Sequence, residues 1–133
     1  MNAVLLDTVG LLAIWNEDDQ WHPAAGEAFA RLIAERREVL TTTFVLAECA
    51  NAAARHGFRR DVIDLGERLK AAGGLILSTE PDWEEAWSAY TAGHVGGPGL
   101  VDELSFVVMR RLGLQRAFTN DRHFRAAGFQ PPF

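Results

Sequence analysis

The stretch that most constrains this chain is Ala3-Val4-Leu5-Leu6-Asp7-Thr8. Four apolar residues in a row are too few for a helix of their own and read as a strand buried on both faces. The run ends on a carboxylate. An acid at the C-terminal end of a central parallel strand lies at the edge where open α/β sheets place their chemistry.

The rest of the chain alternates. Thr8 can cap a helix running through Leu11, Leu12 and Trp15. A polar loop, Asn16 to Gln20, leads to a helix from about Pro23 with Phe29, Leu32 and Ile33 on its inner face. Val39-Leu40-Thr41 is a short strand, and Thr42 or Thr43 caps a helix from Phe44 to about His56, closed by Gly57. Arg59 to Ala72 is helical through Val62, Ile63, Leu65 and Leu69; Gly73-Gly74 breaks it ahead of a third strand, Leu75-Ile76-Leu77. Pro81 to about Thr91 forms a helix whose Trp83, Trp87 and Tyr90 share a face and read as core rather than as a base-stacking platform. After the glycine-rich loop Gly93 to Gly99 come an apolar helix from Val101 to Leu112 and a fourth strand, Arg116 to Thr119. A short helix from Asp121 to Ala126 and an edge strand at Phe129-Gln130 complete the chain. Strand and helix alternating in this way predict an α/β fold: a parallel sheet of four to five strands flanked by helices on both faces, in a single domain over residues 1–133.

Composition narrows the class. A 48% hydrophobic, 23% charged chain of 133 residues is globular and large enough for a real core. Cys49 is the one cysteine, which excludes a disulfide framework and an all-cysteine metal site. No signal-peptide pattern and no bilayer-length apolar stretch occur, so a cytoplasmic location is expected. A net charge of −5 argues against a general nucleic-acid coat, although a cluster of catalytic acids would bias the same total. All the basic residues but Lys70 are arginines, which suits bidentate phosphate contacts and equally fits a codon bias.

Three further acids occur where they can reach the edge that Asp7 marks. Glu48 lies among apolar and small residues in the helix from Phe44, so it reads as buried and in need of a cation. A metal ion is one candidate; an ion pair with a distant arginine is the other. Asp102 opens the helix after the glycine loop, where ordinary helix-start electrostatics would also favour it. Thr119-Asn120-Asp121 follows the fourth strand, and a capped turn explains it as well. Taken together, four acids at one sheet edge are hard to explain as structure. Clustered carboxylates repel, and divalent ions such as Mg²⁺ or Mn²⁺ favour all-oxygen sites.

These residues carry a resemblance. The strand-end Asp7, Glu48, the segment Val101-Asp102-Glu103-Leu104-Ser105-Phe106-Val107-Val108-Met109-Arg110-Arg111 and the segment Phe118-Thr119-Asn120-Asp121-Arg122-His123-Phe124 resemble the PIN-domain nucleases. They are most similar to the VapC-type toxins of bacterial toxin–antitoxin pairs. The resemblance spans the chain and is most specific in its last third. It implies a Mg²⁺- or Mn²⁺-dependent endoribonuclease with Asp7, Glu48, Asp102 and Asp121 as its acidic quartet and Thr119 as the accompanying hydroxyl. Asp7 and Asp102 would hold the ion directly, and Glu48 and Asp121 would bind it, a second ion or its waters. RNA hydrolysis would leave a 5′-phosphate and a 3′-hydroxyl. Arg122, His123 and Arg125 lie near enough in sequence to touch RNA, with a structural hydrogen bond as the other role for His123. The expected partners are an RNA substrate, a cognate antitoxin and a second copy in a homodimer, with no membrane.

The segment Thr91 to Leu100 departs from the lysine, aromatic and serine residues common there in the toxins, which bears on substrate preference. Other classes fit less well. A phosphatase using Asp7 as nucleophile would want an acid where Val9 stands, and a phosphoacceptor domain would want a lysine near the acids, whereas the only one is Lys70. An RNA-processing nuclease outside toxin–antitoxin systems and a non-catalytic PIN-like binding module are the remaining alternatives.

Overall fold

A computed structural model describes residues 3–133. Four strands, β1 (Ala3–Leu6), β2 (Glu38–Thr42), β3 (Leu75–Ile76) and β4 (Arg116–Phe118), form one parallel sheet in the order β3-β2-β1-β4. The apolar run β1 lies inside the sheet, and the side-chain alternation of a strand sends its residues to two cores. Val4 and Leu6 pack with α1 (Thr8–Trp15), α2 (His22–Ala34), α3 (Thr43–Ala53) and α4 (Arg59–Ala72). Ala3 and Leu5 face Phe106 and Met109 of α6 (Leu100–Leu112) and Phe124 of α7 (Arg122–Ala126). The remaining helix, α5 (Glu80–Thr91), packs on α6 through Ala86, Leu104 and Val107. The α/β sandwich expected from the sequence is therefore present.

Helix α1 leaves the end of β1 so closely that a methyl group on Gly10 would lie 2.2 Å from the Phe118 carbonyl of β4. That approach presses the start of α1 against the end of β4, where Thr119 follows. Glycines Gly73 and Gly113, both left-handed, end α4 and α6.

Several expectations are corrected. Asp7, not Thr8, caps α1: its backbone is extended and its carboxylate accepts from the Val9 amide, which frees the Thr8 hydroxyl. Ile33 is exposed, because Ala25, Ala28 and Leu32 form the buried stripe of α2 and Ile33 is turned about 100° away from Leu32. Helix α3 ends at Ala53, and the turn through Arg55 and His56 brings Phe58 into stacking contact with Trp15. Ile63 is also exposed. Leu77 lies outside β3, since β2 has already turned into α3 at Thr43 and offers it no partner. At Phe129-Gln130 a single bridge from Gln130 to Arg116 takes the place of an edge strand.

The tryptophan face is the largest correction. The buried side of α5 consists of Asp82 and Ala86, one turn apart. Trp83 is therefore only half-buried, and Trp87 and Tyr90 are 45% and 44% exposed. Arg111 makes this orientation favourable by bonding both Asp82 oxygens, Nε at 3.0 Å and a terminal nitrogen at 2.8 Å.

Candidate metal centre

Three helix starts and one helix side bring the four acids to the carboxyl edge of β1. Asp7 is the N-cap of α1, Asp102 is the third residue of α6, and Asp121 is the N-cap of α7. Glu48 projects from the middle of α3, beside β1 because β2 delivers α3 there.

Asp7 is the most confined of them, at 1% exposure. The Thr119 hydroxyl donates to its Oδ2 at 2.9 Å, and the same hydroxyl oxygen accepts from the Asp121 amide at 3.0 Å. One threonine thus ties Asp7 to the turn that presents Asp121. Burial and the neighbouring Asp102 charge push the Asp7 carboxyl from an ordinary 3.8 up to about 7, against the opposing hydrogen bonds from Thr119 and the backbone. Burial, then the charges of Asp121 and Glu48, push Asp102 up to about 6.

These shifts weigh against the helix-start reading of Asp102. A carboxylate that serves only a helix dipole is stabilised in its charged form, whereas Asp102 is held above its ordinary range. Burial and the charges of Asp121 and Glu48 outweigh the Gly99 backbone hydrogen bond and the His123 charge that oppose them.

Glu48 is exposed on its helix, contrary to the burial expected of it. Alanine-rich neighbours are small enough to leave it open to the cleft. The Thr8 hydroxyl donates to its Oε1 at 2.6 Å, and among the described residues no arginine or lysine pairs with it. The distant-arginine reading of Glu48 therefore has no partner in the fold. Beneath it, burial and the charges of Asp7 and Glu48 push the Cys49 thiol up to about 12, so Cys49 is an inert core residue.

Oxygens of Asp102 and Asp121 and a ring nitrogen of His123 all lie within 4.8 Å of one another. His123 Nδ1 is 3.0 Å from Asp121 Oδ1, and its Nε2 is 2.9 Å from the Gly96 carbonyl. Both partners are acceptors, so only a ring protonated on both nitrogens donates to both. In that arrangement His123 braces Asp121 against the glycine-rich loop. Arg122 and Arg125 are exposed on α7 beside it.

The donor set suits a hard divalent cation: carboxylates, two of them holding protons well above their usual range, with His123 beside Asp102 and Asp121 but no arginine or lysine paired with any of the four among the described residues. Sequence reasoning missed Thr8 as the partner of Glu48; a hydroxyl directly after the strand-end acid was the available signal. It also passed over Asp82, a buried acid of the opposite kind.

Comparison with known proteins identifies the family. The model of the PIN domain matches residues 4–130. The chain belongs to the PIN-domain family. It is 31% identical over 127 residues to the 23S rRNA-specific endonuclease VapC20 of Mycobacterium tuberculosis, covering 95% of each chain. The crystal structure of that species' VapC20, described as a sarcin-ricin loop cleaving toxin, superposes with a TM-score of 0.77 at 28% identity, over 96% of both chains. FitAB bound to a DNA fragment shares the PIN fold at a TM-score of 0.64 and 20% identity, over 97% of this chain and 94% of that one. No helix of the described residues is long and apolar enough to cross a membrane.

Proposed function

We propose that this PIN-domain protein is a metal-dependent endoribonuclease and the toxin of a toxin–antitoxin pair. The observation that carries the reading is Asp7, buried at the end of the central strand and repelled by Asp102 with no basic partner. The likeness to VapC20 supplies the substrate class, a structured ribosomal RNA.

Asp7 and Asp102 would hold Mg²⁺ or Mn²⁺, with Glu48 and Asp121 reaching the same ion, a second one or its waters. When bound, such an ion activates water and neutralises charge on the phosphoryl oxygens. The protein's own residues position that centre. Thr119 fixes Asp7, Thr8 fixes Glu48, and His123 holds Asp121. Arg122 and Arg125, exposed on α7, would receive the RNA backbone. Hydrolysis leaves a 5′-phosphate and a 3′-hydroxyl. The protein works in the cytoplasm as a homodimer held in check by a cognate antitoxin.

Two readouts test this. Purified protein should cut ribosomal RNA in Mn²⁺ or Mg²⁺ and lose the activity in EDTA, and either ion should raise the melting temperature by binding the native state. Asp102→Asn should abolish cutting and most of the rise. A thermal shift as large in Asp102→Asn as in the parent would remove Asp102 from the ligand set. Expression alone should arrest the host, and an arrest that persists in soluble Asp102→Asn would refute catalysis as its cause.

A further inference from the structure

Phe44 of α3 and three rings of α5 form a ladder on the protein surface. Phe44 stacks on Trp83 at 5.9 Å between centroids, Trp83 on Trp87 at 5.9 Å, and Trp87 meets Tyr90 at 6.0 Å. Within such a ladder each face is taken by the next ring, so a free face exists only at the ends. Tyr90 is the end nearer the glycine-rich loop. There it lines a groove of about 360 Å³ with Thr91, Gly93, His94, Val95 and Pro98. Val95, at its rim, is fully exposed.

Charge selects the class of occupant. The first half of α5 carries Glu80, Asp82, Glu84 and Glu85 and would repel a phosphate chain. From Ala86 to Val101 there is no acid at all, and His94 is the one basic residue. Across the loop, α7 exposes Arg122 and Arg125, for which no carboxylate partner is found among the described residues. The loop also joins the groove to the acidic centre, because the Gly96 carbonyl meets His123, which in turn holds Asp121.

We propose that the Tyr90 groove takes one unpaired nucleobase of an RNA strand, stacked on the Tyr90 ring, with the strand's phosphates toward Arg122 and Arg125. This rests on the ribonuclease reading above and gives it a substrate contact. A base can enter only from a loop, bulge or end, since bases in a paired RNA helix are not free to stack on protein. Stacking on an aromatic face tolerates any base, so the groove selects for unpaired structure more than for sequence.

The test measures binding apart from cleavage. In an Asp102→Asn background, fluorescence anisotropy follows a labelled RNA hairpin with a purine loop and a blunt RNA duplex of the same stem sequence. Tyr90→Phe keeps the ring and should bind the hairpin within about twofold of the parent, whereas Tyr90→Leu should weaken it by about tenfold and leave the duplex unchanged. With Asp102 restored, Tyr90→Leu should show the same loss in kcat/KM on the hairpin. Hairpin binding and cleavage unaffected by Tyr90→Leu would overturn the groove and leave the ribonuclease reading standing. So would equal losses on hairpin and duplex, or a drop in sedimentation mass, which would make the ladder an interface between protein copies. A parent protein that neither binds nor cuts RNA would overturn both readings.

Discussion

Asp7→Asn separates folding from function, because the fold holds the Asp7 carboxyl under strain in the absence of an ion. Its rise from 3.8 to about 7 means that the folded protein keeps this proton to higher pH than the unfolded chain does. Stability therefore falls as pH rises from about 4 to about 7 and levels off above that. At about 1.4 kcal/mol per pKa unit, the ionised carboxylate costs the metal-free fold about 4 kcal/mol. Asparagine keeps one carbonyl oxygen, enough to accept from both Thr119 and Val9, which now share Oδ2. Its amide replaces the charge that Asp102 repels.

The experiment is a set of urea denaturations in EDTA, parent against variant, from pH 5 to pH 8. Titrating groups that do not interact with Asp7 cancel in the difference. Asp7→Asn should gain about 3 kcal/mol over the parent on going from pH 5 to pH 8. Asp7 and Asp102 titrate as a pair, so the midpoint read from the curve belongs to both. A difference that stays flat with pH, or a variant less stable than the parent at pH 8, would refute the account of Asp7 as a buried charge without a partner.

Two further outcomes follow from the same geometry. Glu48→Gln, at an exposed site with one hydroxyl donor and no basic partner, should change metal-free stability by less than about 1 kcal/mol while lowering RNA cleavage by a large factor. A loss above about 3 kcal/mol would reveal a buried ion pair instead. Asp82→Ala removes a bidentate arginine contact together with the Thr79 capping box, so it should cost about 2–4 kcal/mol in denaturation while cleavage per folded molecule is unchanged.

What the sequence revealed depended on how local the determining physics was. The bounds of α4, Arg59 to Ala72, match the sequence reading because left-handed Gly73 ends the helix. Strand β1 was legible from four apolar letters, since only a doubly covered strand absorbs such a run. Trp87 and Tyr90 were misread because their spacing from Trp83, which does pack on the core, is that of a core stripe. Only the docking of α6 shows that α5 turns Ala86 and Asp82 inward instead. Glu48 was misread because small neighbours look apolar in sequence yet cover little in space. The edge where the acids gather was visible from strand ends and helix starts. Thr119 was named by the resemblance, but its bond to Asp7, 112 residues away, and the bond from Thr8 to Glu48, 40 residues away, join positions that no local pattern links.

Asp7 and Asp82 show why burial alone does not identify a functional acid. Both are aspartates, both lie at helix starts, and they are 1% and 3% exposed. Burial pushes each upward. For Asp82, the Arg111 hydrogen bonds, the Thr79 contacts and the Arg111 charge outweigh that push and hold the carboxyl below its ordinary value. For Asp7, a threonine hydroxyl and backbone amides oppose burial and a second carboxylate, and they lose. The fold thus has the means to neutralise a buried aspartate and uses it on α5, where the acid joins two helices. At the end of β1 it supplies only neutral donors. A site so arranged is stable without an ion only by keeping its proton, and a divalent cation must displace that proton to bind. In the function proposed above, the missing basic partner is what ties this edge of the sheet to metal chemistry, while the arginine beside Asp82 keeps that acid structural.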